Sequence, residues 1–258
     1  MMRVVIIGSG NLAESLSRAV AASQSTLIQL FARNEKRGRI VAEMASTVWE
    51  SAPERLATAD LYLIAVSDRA VEEVASSLPF APDAIIAHTA GSVSLDALPE
   101  RFAHRAVFYP LQTFTRGRAV DFAHIPIFIE TSTPSLRAPM EAFARSLSDT
   151  VIYADTARRT QVHLAGVFAC NFANQMYALG EQIVRRAGLD FEVLKPLIAE
   201  TAAKALDAHS PVEVQTGPAV RNDQATQARH LALLSDDPQI ENIYSIISKN
   251  IWEISKKI

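Results

Sequence analysis

The chain has 258 residues, is 49% hydrophobic and 21% charged, and carries a formal net charge of −3. That length can bury one large core or two modest ones, and the near-balanced charge offers no electrostatic starting point for nucleic-acid binding. The most apolar run, 61–66, falls far short of the roughly 20 residues that a membrane-spanning helix needs, so no membrane partner is expected.

Met-Met-Arg leads directly into a strand-like run, without the apolar stretch and cleavage site of a secretory signal. The single cysteine, Cys170, cannot form an internal disulfide, and no Cys/His spacing suggests a metal site. A cytoplasmic protein without a bound metal is expected. Short apolar runs at 3–7, 27–31, 61–66, 84–87, 106–109, 126–129 and 151–153 read as strands, with a further short strand around 47–49. Amphipathic helical stretches separate them. Near-continuous apolar strands alternating with helices imply a largely parallel sheet covered on both faces.

After Asp155 the strand signals stop. Residues 156–187 contain no proline and read as one helix, with Asp155 as its N-cap and Gly188 as its stop. Further helices are predicted at 191–208, 223–234 and from 238 to the end, the last with isoleucines at 3–4 spacing. The expected architecture is α/β: an N-terminal Rossmann-type doubly wound sheet over 1–154, followed by an all-α domain over 155–258 that binds substrate and dimerises.

The strongest local motif is Gly8-Ser9-Gly10-Asn11-Leu12-Ala13, a G-x-G-x-x-A turn between the first strand and a helical stretch. Gly8 allows the tight turn, Gly10 lets backbone approach a pyrophosphate, and Ala13 lets helix and strand pack closely. A phosphate would meet free N–H groups at the helix N-terminus. Gly8, Ser9, Gly10, Asn11 and Leu12 are therefore the first candidate cofactor residues. An NAD site usually ends its second strand with Asp or Glu. Here Arg33 holds about that position and Arg37 lies one helical turn on, and guanidinium forks suit a 2′-phosphate. NADP is expected over NAD. A solvated basic turn is the bland alternative.

With this turn, the Arg33 strand end and the α/β-then-α layout, the chain resembles the pyrroline-5-carboxylate reductase and deazaflavin-dependent NADP oxidoreductase type of protein. Within that group it is most similar to Rossmann-like proteins with a helical C-terminal domain of unknown function. The segments carrying the resemblance are Ala65-Val66-Ser67-Asp68, His88-Thr89-Ala90-Gly91-Ser92, Tyr109-Pro110-Leu111-Gln112-Thr113-Phe114 and Thr216-Gly217-Pro218-Ala219-Val220-Arg221-Asn222-Asp223. The resemblance implies an NAD(P)-dependent redox fold, a homodimer through the helical domain, and a small-molecule substrate that it does not identify.

The residues themselves agree in part. Ser67 and Thr89 follow strands whose C-terminal ends should border the ligand crevice, and both could offer hydroxyls to the cofactor. His88 and Gln112 are candidates for substrate contact, although His88 reads equally as a hydrogen-bonded strand-end histidine. Arg221 could bind a carboxylate or merely pair with Asp223. Hydroxyacid dehydrogenases related to this group place a lysine on the first long helix of the second domain. This chain has none between Lys36 and Lys195, which argues against that activity. The helix instead offers His163, Asn171 and Asn174. At 100° per residue Asn174 lies about 20° from His163 and Asn171 about 80° from it. The chemistry expected is hydride transfer between NADP(H) and a small carbonyl or imine compound bearing a carboxylate, with His163 moving the proton and the asparagines holding the substrate. A satisfied interhelix histidine is the structural alternative. A catalytically silent redox sensor and a deazaflavin-dependent hydride exchanger are the competing functions.

Overall fold

A computed structural model describes residues 1–257 of the chain. In order it forms β1 (Arg3–Ile7), α1 (Asn11–Ala21), β2 (Thr26–Phe31), α2 (Glu35–Met44), β3 (Val48–Glu50), β4 (Leu61–Ile64), α3 (Val71–Ser77) and β5 (Ile85–His88). Then come β6 (Arg105–Pro110), β7 (Ile127–Thr131), α4 (Arg137–Arg145) and β8 (Val151–Tyr153). The strands lie in one sheet in the order β3-β2-β1-β4-β5-β6-β7-β8, all pairings parallel except β6 with β7. The first six strands follow the doubly wound order, which reverses between β1 and β4.

Alternation along each strand builds two cores. Val4, Ile6, Leu61, Leu63 and Phe108 face the layer that contains Leu16, Val41 and Met140. Val5, Ile7, Tyr62, Ile64 and Val107 face the other layer, with Val71 and Ala75 of α3. The expected strand 61–66 ends its ladder at Ile64, because Ala65 and Val66 bend over the glycine turn: the Ala65 oxygen is the nearest atom to the missing Cβ of Gly8.

The chain divides into two compact units, Met1–Asn171 and Phe172–Ile258. The first extends past β8 because α5 (Thr156–Gly166), capped by the Asp155 carboxylate on the Arg158 N–H at 2.9 Å, is tied to the sheet. The fully buried Arg159 guanidinium pairs with Glu130 of β7 and donates to the Val93 oxygen. The single helix expected over 156–187 is instead α5, a π-helical turn at Val167–Phe172, and α6 (Ala173–Arg186). Gly188 terminates α6 at φ +73°.

In the second unit α6 is followed by α7 (Lys195–Asp207), α8 (Gln224–Leu233) and α9 (Pro238–Ser255). The helix predicted from 191 begins instead as a 3₁₀ turn at Phe191–Leu194, and Pro196 takes the first turn of α7, where its missing N–H costs nothing. Asp223 and Asp237 cap α8 and α9. Among the described residues of this unit only Ala219, Leu234, Ile240 and Ser248 are buried. Among the described residues no helix is long and apolar enough to cross a membrane, and no cluster of three His, Cys, Asp or Glu could hold a metal ion.

Candidate functional site

Gly8 sits at φ +123°, and a Cβ there would lie 2.3 Å from the Ala65 oxygen, so no other L-residue fits. Its N–H donates to the Phe31 oxygen at 2.8 Å, fastening the turn to β2. Gly10 is different. A Cβ at Gly10 would meet nothing within 4 Å, because the turn faces open space. It is also the N-cap of α1, with no side-chain cap, and the first intrahelical bond runs from Glu14 N–H to the Gly10 oxygen. The N–H groups of Asn11, Leu12 and Ala13 are left as anion donors. Asn11 and Leu12 border a cleft of about 590 Å³, a size typical of ligand pockets. It runs from Gly8–Leu12 past Arg33 and Asn34 to Val66 and Ser67. The open space at Gly10, the uncapped helix and the cleft's position at the sheet's reversal fit a dinucleotide pyrophosphate.

Arg33 is exposed on the cleft wall and makes no hydrogen bond or ion pair among the described residues. Arg37 does not share that role. Its guanidinium is committed to the Glu14 carboxylate, and its Nε–H donates to the Ser9 oxygen at 3.2 Å. Glu14, which the sequence reading passed over, is only 3% exposed and also accepts from the Gly117 N–H at 3.1 Å. A buried carboxylate must be paired, and here the pairing locks the glycine turn to α2. Its only sequence signal was a charge beside the small face of α1. The Asn11 side chain is committed elsewhere: its Nδ2–H donates to the Phe114 oxygen at 3.0 Å, leaving its backbone N–H for an anion.

At the C-terminal ends of β4 to β6 the candidates separate. Ser67 is exposed and lines the cleft. Thr89 is buried, and its hydroxyl donates to the Ile64 oxygen at 3.3 Å, so it is a strand-pairing residue and not a cofactor ligand. His88 is likewise corrected. It is fully buried, its Nδ1 accepts from the Ala90 N–H at 3.2 Å, and its Nε2–H faces the Ser94 oxygen at 3.2 Å. Burial, and next the Arg159 charge, push its pKa down to about 4, so it is a neutral structural residue with no nitrogen to offer a substrate.

His163 of α5 is half-buried, with Nδ1 3.0 Å from the Tyr109 hydroxyl of β6. Gln112 is exposed and its Oε1 accepts from the Thr113 N–H at 2.8 Å. Asn171 is exposed on the π-helical turn. Asn174 is exposed at the start of α6 in the helical unit. The six π-helical residues between it and His163 follow an i→i+5 register, so the 100° spacing that put the two on one face does not hold. Arg221 is exposed in the helical unit, and Asp223 caps α8 through the Thr226 N–H and hydroxyl instead of forming a close ion pair with it.

The sheet order, the glycine turn at its reversal and the helical C-terminal unit define a Rossmann-type NAD(P)-binding oxidoreductase architecture. Residues 3–91 match the family model described as NADP oxidoreductase, coenzyme F420-dependent, and residues 125–251 match a domain of unknown function, DUF2520. The chain is 36% identical to BF3122 of Bacteroides fragilis, a candidate NADP oxidoreductase, with 98% of each chain covered and a TM-score of 0.89. It therefore belongs to the family of BF3122, and in this chain the segment that matches the NADP oxidoreductase model precedes the one that matches DUF2520. More distant likenesses show the fold alone. One is 1-pyrroline-5-carboxylate reductase from Streptococcus pyogenes (13% identity, 100% and 99% covered, TM-score 0.64). Another is the reductive aminase from Aspergillus terreus in complex with NADPH and ethyl-5-oxohexanoate (13% identity, 100% and 93% covered, TM-score 0.66). No protein of curated function matches the chain in sequence.

Proposed function

We propose that this chain is an NADP-dependent oxidoreductase acting in the cytoplasm on a small carbonyl or imine compound that carries a carboxylate. The observation that carries the cofactor choice is Arg33, an exposed guanidinium without a partner among the described residues, on the wall of the glycine-turn cleft. It stands where an NAD site would place an acid, and its fork of donors suits a 2′-phosphate. Structural neighbours that include a 1-pyrroline-5-carboxylate reductase, an imine reductase from Pseudomonas sp. and a reductive aminase in complex with NADPH support the substrate class.

Bound in this cleft, NADPH would supply a hydride for the carbonyl or imine carbon. The chain's own residues do the rest. The α1 N–H groups and Gly10 hold the pyrophosphate, Ser67 faces the cofactor, and His163 delivers the proton that the substrate's oxygen or nitrogen takes up. Asn171 and Gln112 hold the substrate's polar group. We further propose a homodimer formed through the helical unit, because four buried residues cannot make a self-sufficient core.

Calorimetric titration tests the cofactor assignment. NADPH should bind with much lower Kd than NADH, and Arg33→Ala should weaken NADPH by about tenfold, a loss of about 1.4 kcal/mol, while leaving NADH unchanged. Equal affinities in the parent protein would reject NADP specificity. Loss of reduced-nicotinamide absorbance with imino or keto acids would then separate an enzyme from a redox sensor, which binds cofactor without oxidising it.

A further inference from the structure

Three strand ends converge on one pair of side chains. Tyr109, near the C-terminal end of β6, reaches its hydroxyl to within 3.0 Å of His163 Nδ1 on α5, and the two rings meet edge to face at 5.9 Å. The contact depends on a residue that contributes no side chain. A Cβ on Gly91, just beyond β5, would lie 2.6 Å from Tyr109 Cζ and 2.8 Å from His163 Nδ1, so only glycine leaves room for the pair. Next to it the Ser92 hydroxyl donates to Asp68 Oδ2 at 2.8 Å, and Asp68 follows Ser67 on the cleft wall. The Ser92–Asp68 hydrogen bond thus ties the segment that carries Gly91 to the segment that carries Ser67 of the cleft wall.

The direction of the hydrogen bond follows from the tyrosine. Its side chain is largely buried, and burial, with a second contribution from the Asp68 carboxylate, pushes its pKa up to about 12. Near neutral pH the phenol keeps its proton and donates it to an unprotonated Nδ1. A neutral imidazole whose Nδ1 accepts must carry its own proton on Nε2. The protonated imidazolium keeps the same contact with the roles reversed, Nδ1–H donating to the phenol oxygen. In both states Nε2 is the nitrogen left free of the pair.

We propose that Tyr109 is the positioning residue for His163: it occupies Nδ1 in either protonation state and so makes Nε2 the single atom through which the histidine passes a proton to the substrate. Gly91 is the gap that permits the pairing. This rests on the oxidoreductase reading above. The proton balance is simple. The imidazolium loses its Nε2 proton to the oxygen or nitrogen that gains the electron pair during reduction, is left with its remaining proton on Nδ1 donated to the phenol oxygen, and takes a new proton at Nε2 from solvent. Tyr109 ends each cycle with the proton it began with.

Tyr109→Phe keeps the ring and removes only the hydroxyl, and Gly91→Ala places a methyl group between the partners as an independent route to the same break. The first measurement needs no turnover: nuclear magnetic resonance of isotope-labelled histidine ring nitrogens, with the His163 signal assigned by its loss in His163→Asn. Neutral His163 should be protonated at Nε2 in the parent protein and should become a mixture of tautomers in both variants. An unchanged tautomer in Tyr109→Phe overturns the proposal whatever the protein catalyses. The second measurement is turnover. Tyr109→Phe should lower kcat by about tenfold or more and displace the pH–rate profile, with the NADPH Kd unchanged. Full kcat in His163→Asn would discard the proton-transfer reading itself. Loss in His163→Asn beside full kcat and an unmoved profile in Tyr109→Phe would discard the pairing alone.

Discussion

The sheet unit and the helical unit solve burial in opposite ways. In the first, alternate residues of the strands fill two cores, and even Arg159 and His88, both fully buried, find their partners within the unit. In the second, only four described residues are buried, while Leu197 and Leu206 of α7 stand 63% and 85% exposed. One unit is finished as a single chain. The other has amphipathic helices whose apolar stripes lack a covering layer, and the lesson is that amphipathic pattern alone does not say which molecule supplies the cover.

The sharpest break of the first half of that comparison is Arg159→Ala. It strands Glu130 without its guanidinium partner, and urea denaturation should report a loss of about 3–5 kcal/mol. The double variant Arg159→Met/Glu130→Met should cost far less, because replacing both members of the pair leaves no unpaired charge behind. An equal loss in the single Arg159→Ala and the double variant would mean that packing, not charge pairing, anchors α5.

His88 comes next. The folded protein binds its proton only near pH 4, whereas an unfolded chain binds it near the ordinary 6.5. Between those values the unfolded state holds more protons, so stability rises with pH across the window, and its full deficit below pH 4 is on the order of 3 kcal/mol. His88→Asn, which offers an oxygen to the Ala90 N–H, should flatten that part of the stability profile. A slope that survives the substitution would assign it to carboxylates.

The smallest effect tests the second half. Leu197→Ala on a lone helical unit should be nearly silent, within about 0.5 kcal/mol. If a second copy covers α7, the cost rises to about 1–2 kcal/mol, and the melting temperature of the parent protein increases with its concentration. Sedimentation as a monomer at micromolar concentration, with a concentration-independent melt, would leave the apolar stripes unexplained by dimerisation.

Much of this was legible in the sequence. Fully buried strands give unbroken apolar runs, so β1, β2, β4, β5 and β6 lie within a few residues of where Val, Ile and Phe cluster. The glycine turn was legible because its glycines answer to backbone geometry that no neighbour can supply. The π-helical turn was not, since i→i+5 bonding leaves no 3.6-residue signature. Arg37 looked like a phosphate ligand because its partner, Glu14, is 23 residues away and reads as an ordinary first-turn acid. Tyr109 and His163 are separated by 54 residues, and nothing in local spacing brings a strand-end tyrosine to a helix histidine.

The links from Asn11 to the Phe114 oxygen and from the Gly117 N–H to Glu14 each close a loop of 103 residues. The cofactor turn is therefore local in its motif but distant in its completion. Contacts of such separation carry a large loop-closure entropy and belong to the slow end of folding. A nascent chain that has already formed β1, its turn and α1 still lacks the segment that pins them. On the ribosome, the part of the sequence that declares itself first is among the last to be secured.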